Sequence, residues 1–123
     1  MLTENIVLAT NAVMTGTTVV NSTPVQTCDM LYFSIQCIWA STPTGTFKVQ
    51  ACNDASTPTS STTWTDLTNG TSVILNGTQP AGSAGSLIFS NPALGVPWNW
   101  IRLVYTNGSS TGTFSARLFS KGA

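Results

Sequence analysis

The sequence contains no histidine, and Asp, Glu, Lys and Arg together make up 7% of its 123 residues. Histidine is the side chain whose ordinary pKa suits proton transfer near neutrality. Its absence removes the commonest general base and the usual activator of a serine nucleophile. The carboxylates Glu4, Asp29, Asp54 and Asp66 lie in separate segments, so none forms the paired acid and base that glycoside hydrolysis needs. A serine–lysine arrangement would have to recruit Lys48 or Lys121, and no motif surrounds either. The chain therefore reads as a binding or structural protein, with no catalytic residues and no cofactor.

Other absences narrow the class further. Four basic residues (Lys48, Arg102, Arg117, Lys121) balance the four acidic ones. They form no basic stripe of the kind that holds nucleic acid or an anionic membrane. No apolar run approaches the roughly 20 residues of a membrane-spanning helix. The start, MLTENIVLAT, lacks the basic and long apolar regions of a secretory signal. Cys28, Cys37 and Cys52 are odd in number, which argues against a disulfide framework. Without Cys/His spacing they do not suggest zinc, and small buried thiols made in a reducing compartment are expected. Asn53, Asp54 and Asp66 are read as turn caps instead of cation ligands.

What the chain does have is threonine, serine and asparagine between short apolar runs, with 41% hydrophobic residues overall. Thr and Val suit pleated, half-buried surfaces, and Gly, Pro and Asn punctuate them. Turn signals recur about every 10 residues, the spacing of a sandwich or barrel. The expected architecture is all-β: a single domain over residues 1–123, an antiparallel sandwich or barrel of about eight strands.

The expected strands are Asn5–Val13, Thr17–Asn21, Leu31–Trp39, Thr46–Cys52, Trp64–Leu67, Ser72–Leu75, Leu87–Ser90, Trp98–Thr106 and Thr113–Lys121. In the third, Phe33, Ile35, Cys37 and Trp39 share one face, and Tyr32, Ser34, Gln36 and Ile38 the other. Phe47, Val49 and Ala51 alternate with Lys48 and Gln50, and Phe114, Ala116 and Leu118 with Ser115 and Arg117. The strands around Ser41–Gly45 read as one hairpin, and those around Asn107–Gly112 as another. The segment Asn76–Ser86 reads as a loose surface loop. The sequons at Asn21, Asn69, Asn76 and Asn107 are read as turn chemistry, since the last three are Asn-Gly pairs.

Four tryptophans and two arginines are the candidate contact residues. Trp39 belongs to the core by alternation. Trp98 and Trp100 fall on one face of their strand, where an indole could meet a sugar or a partner; Trp64 is a further candidate. A hairpin would bring Arg102 beside Arg117, which costs energy unless Asp66 or Asp54 lies between them. The interface set is therefore Trp98, Trp100, Arg102 and Arg117.

The stretch SIQCIWASTPTGTFKVQACNDASTP, then WTDL, then WIRLVYTNGSSTGTFSARLFSKG, resembles small proteins of tailed-phage structural gene clusters from Ser34 to Gly122. Cys52 stands where those proteins usually have serine, and the Asn76–Ala93 segment is longer. The resemblance implies a virion component, a capsid decoration (cement) protein or a small head or tail accessory. It implies a jelly-roll-like sandwich that binds the major capsid protein or another virion protein. It also implies synthesis in the host cytoplasm, a place on the capsid surface, and a homo-oligomer, with a trimer at threefold junctions. Over the phrase WIRLVY alone the chain is also similar to discoidin-like sugar-binding sandwiches. The alternative is thus a glycan-binding module on a virion fibre or tail.

Overall fold

A computed structural model describes residues 3–14, 19–67, 78–80, 82, 85–91, 96–106 and 112–122. The described residues form strands β1 (Thr3–Val13), β2 (Val20–Asn21), β3 (Val25–Gln26), β4 (Met30–Trp39) and β5 (Thr46–Cys52). They continue with β6 (Thr65–Leu67), β7 (Thr78–Pro80), β8 (Ser86–Ser90), β9 (Trp100–Thr106) and β10 (Thr113–Gly122). One sheet has the order β1-β10-β4-β8; the other runs β2-β9-β5-β6, with β3 also on β9 and β7 also on β5. Every pairing is antiparallel.

The chain passes repeatedly from one sheet to the other. β1, β4, β8 and β10 build the first, and the strands between them build the second. This is the jelly-roll winding, an all-β sandwich as the composition requires. The short β3 and β7 depart from the expected strands: β3 comes directly after Pro24, and β7 falls within the segment read as a loop. The expected strand Ser72–Leu75 and the sequons at Asn69, Asn76 and Asn107 lie outside the described residues.

The winding overturns both expected hairpins. β4 and β5 lie in different sheets, as do β9 and β10. The physical reason is saturation. β10 has β1 on one side and β4 on the other, and β9 lies between β2–β3 and β5. Neither has a free edge for the other. Between β4 and β5 the chain turns through Ser41, at φ 70, and buries Pro43. Gly45 then lies so close to the Thr106 carbonyl and the Tyr105 hydroxyl that no side chain fits there. That approach sets β5 beside β9 instead of β4.

The alternation did place the core correctly. Phe33, Ile35, Cys37 and Trp39 of β4 are buried, with Phe114, Ala116 and Leu118 of β10 beside them. Phe47, Val49 and Ala51 of β5 and Ile101, Leu103 and Tyr105 of β9 face them from the second sheet. At one end Phe47 touches Trp39, Tyr105 and Phe114, with ring centroids 5.3, 4.8 and 5.1 Å away. Each aromatic pair contributes about 0.5–1.5 kcal/mol beyond its buried area.

Polar side chains close the gaps that the winding leaves. Asn91 accepts from the Phe33 amide at 2.7 Å and donates to the Leu31 carbonyl at 3.1 Å. Ser22, in the break between β2 and β3, accepts from the Leu103 amide at 2.8 Å. The Thr27 hydroxyl donates to the Trp98 carbonyl.

Candidate functional site

A sandwich whose inner faces are filled can act only through its outer faces, its edges and its loops. The outer face of the second sheet is knitted together by polar contacts. In register, Gln50 stands between Arg102 on β9 and Asp66 on β6. Its amide nitrogen donates to Asp66 Oδ1 at 2.8 Å, and its oxygen accepts from Arg102 Nε at 2.9 Å. Lys48 Nζ lies 3.0 Å from Asp66 Oδ2. The Arg102 guanidinium stacks 4.4 Å from the Trp64 ring centroid.

Cross-strand spacing explains this set. Lys48, Gln50 and Cys52 are the outward members of β5, and Trp100 and Arg102 those of β9. The hydrogen bond from Gln50, with Lys48 beside it, holds the Asp66 carboxyl below its ordinary value, against a partial desolvation that raises it. Partial burial lowers the Arg102 pKa, and the neighbouring Cys52 opposes that. Asp66 thus reaches Arg102 only through Gln50. Asp54 caps its own loop, accepting from the Thr62 hydroxyl at 2.6 Å.

Trp98 and Trp100 separate, against the expectation of a shared strand face. β9 begins only at Trp100. Trp98 precedes it and packs on the core. The Trp100 indole N–H donates to the Asp54 carbonyl at 3.2 Å. Asn99 ties the same corner together, its amide donating to Asn53 Oδ1 at 3.0 Å. Trp39 is buried and donates to the Gly82 carbonyl at 2.9 Å. These contacts use the indoles structurally, and Arg102 already covers one face of Trp64.

Arg117 stands on the opposite side of the molecule from Arg102, on the outer face of the first sheet. A row runs across that sheet as Val7, Arg117, Gln36 and Ile88. The next rows hold Phe119 opposite Ser34, Lys121 opposite Tyr32, and Ile38 opposite Ser115 and Ser86. Large apolar groups on this face are open to solvent: Val7 50%, Tyr32 45%, Ile38 53%, Ile88 51% and Phe119 39% exposed. At one end Tyr32, Phe119 and Lys121 line a groove of about 550 Å³.

Sequence reasoning placed Tyr32 and Ile38 on the outward side but gave them no role. The signal was an isoleucine and a tyrosine on the polar side of a strand whose other side was already apolar. Val7, Ile88 and Phe119 could be found only once β1, β8 and β10 were known to flank β4.

Around the edge from this face, Glu4, Pro24, Cys28, Asp29 and Met30 line a second groove of about 400 Å³. The thiols are all free: Cys28 is exposed, and Cys37 and Cys52 are buried. Burial pushes the Cys37 thiol up to about 12. Among the described residues no three of His, Cys, Asp and Glu gather in a way that could hold a metal.

No family model matches this chain, and no curated protein matches it in sequence. Among solved structures it is similar to the SPBc2 prophage-derived protein YomS, at 13% identity over 96% of this chain and 91% of that one, with a TM-score of 0.53. A protein of Bacillus endospore appendages, described as a family of disulfide-linked pili, aligns at 11% identity over 99% of this chain and 88% of that one, with a TM-score of 0.47. At such identities the first likeness is one of fold: the same two-sheet sandwich recurs over nearly the whole chain.

Proposed function

We propose that this chain is a non-enzymatic structural protein of a tailed-phage particle: a capsid decoration protein that binds the major capsid protein and reinforces the shell. The observation that carries an assembly role is the outer face of the first sheet. Val7, Val13, Tyr32, Ile38, Ile88 and Phe119 stand open there, although the core beneath is closed. Exposed apolar groups gathered on one face mark a surface that meets another protein. The sequence pattern from Ser34 to Gly122 and the prophage-derived neighbour of similar fold support the phage setting.

Charge supports the same reading. On the first sheet's outer face only Arg117 and Lys121 among the described residues carry a full charge, so packing a neighbour there desolvates mainly apolar groups, hydroxyls and amides. Burial of hydroxyls and amides costs far less than that of ions, provided each finds a hydrogen bond. The protein would be made in the host cytoplasm and carried on the capsid surface.

Mass spectrometry of purified virions from the phage that encodes this chain tests the proposal. The expected result is a copy number that is a fixed fraction of the major capsid protein's. Absence from the particle would overturn it.

A further inference from the structure

The first sheet's outer face also shows what kind of surface it would accept. Arg117 stands in its central row, and Lys121 at one end beside Phe119, with Nζ 6.0 Å from that ring. Among the described residues neither cation has an ion pair, and no carboxylate lies on this face. Two copies meeting face to face would therefore bring cations together inside an apolar contact, a juxtaposition that opposes association.

The complementary groups are present on the same chain. Of its four carboxylates, Asp66 is held by Lys48 and Gln50, and Asp54 by Thr62. Glu4 and Asp29 are exposed, make no ion pair among the described residues, and line the same edge groove. The protein thus carries two uncompensated cations on an apolar face and two uncompensated carboxylates at a groove around the edge. Its formal net charge is zero.

We infer that the occupant of the face is a second copy of this chain, joined face to edge. Arg117 and Lys121 of one copy meet Glu4 and Asp29 of the next. Such a contact is heterologous: each subunit uses one surface to give and another to receive, so copies propagate into a ring or a filament. The contact rests on the assembly role of this face and not on the virion assignment, which can fail separately.

Size fits a reversible contact. Strands about 4.8 Å apart, rising about 3.4 Å per residue, make the four-stranded face roughly 600 Å². Standard interfaces bury about 800 Å² per partner. Because pairs of opposite charge hold it together, the association should weaken as salt rises.

Sedimentation velocity and native mass spectrometry of the purified chain test this at low and high ionic strength. The expected result is an oligomer that weakens as salt rises. The double variants Arg117→Glu/Lys121→Glu and Glu4→Lys/Asp29→Lys should each lose more than tenfold in affinity. Mixing the two variants, or combining all four changes in one chain, should restore association and show that every variant folds. A monomeric wild-type chain would overturn the inference. So would an oligomer unmoved by the reversals, or double variants that neither mixing nor combination rescues. None of these results bears on whether the chain is found in virions.

Discussion

The Arg102 guanidinium lies 4.4 Å from the centre of the Trp64 ring, and its Nε is held by Gln50. The pair fastens β9 to the segment leading into β6, two elements with β5 between them. Arg102→Ala should destabilise the protein by about 1 kcal/mol, the usual value of a partly exposed cation–π contact. Arg102→Lys keeps the charge but cannot supply the same planar stack and donor. Urea unfolding followed by tryptophan emission should show both variants weakened, with Lys between wild type and Ala.

Asp66 gives the same face a dependence on pH. Its pKa is lowered in the folded state, so the stability it adds is present above the ordinary carboxylate value. That stability is lost as pH falls through the lowered folded value. The carboxylate is well exposed, so the effect is modest, at most about 1 kcal/mol. Asp66→Asn should flatten this part of the acid limb while changing stability little at low pH. Chemical denaturation across pH checks it.

The cysteines should separate by reactivity. Burial pushes Cys37 up to about 12, so almost none of it is thiolate near neutrality. Native protein treated with a thiol reagent should yield one fast equivalent, from exposed Cys28. Cys37 should react only on unfolding. Its raised value also means that stability present below pH 9.0, the ordinary thiol value, falls as pH climbs toward about 12. Cys37→Ala should remove that alkaline slope.

Two glycines should respond differently to alanine. At Gly45 a β-carbon would collide with the Thr106 carbonyl and the Tyr105 hydroxyl. Gly45→Ala should therefore cost about 2 kcal/mol or more, as overpacking does. At Gly82 a β-carbon would meet nothing within 4 Å among the described residues, but the φ of +59 disfavours a side chain. Gly82→Ala should cost about 1 kcal/mol from backbone conformation alone. Thermal unfolding of the two variants separates space from torsion.

Phe47 is fully buried and meets three other rings across both sheets. Phe47→Ala should lose about 3–5 kcal/mol. Phe47→Leu keeps much of the volume and should lose less, by denaturant midpoint.

The alternation in β4, β5 and β10 made the core legible, because a period of two fixes which residues share a face. It could not fix which strand lies beside which. Short loops after Trp39 and Thr106 looked like hairpin turns, yet both cross the sandwich. Nothing local distinguishes a strand that returns to its own sheet from one that leaves it, since both bury the same side chains. The candidate residues suffered accordingly. Arg102 and Arg117 looked like neighbours and stand on opposite outer faces. The open apolar face was hidden for the same reason, its members being scattered from Val7 to Phe119.

The position of β10 between β1 and β4 has a consequence for biogenesis. Until residues 113–122 leave the ribosome, β1 has no strand to pair with, and β4 has only β8. Folding of the first sheet must therefore wait for β10, and pairing Thr3 with Lys121 closes a long loop. Such distant pairings fold slowly. In the interval, long unpaired strand edges are open to other chains, and expression temperature should decide how much of the protein reaches its native winding.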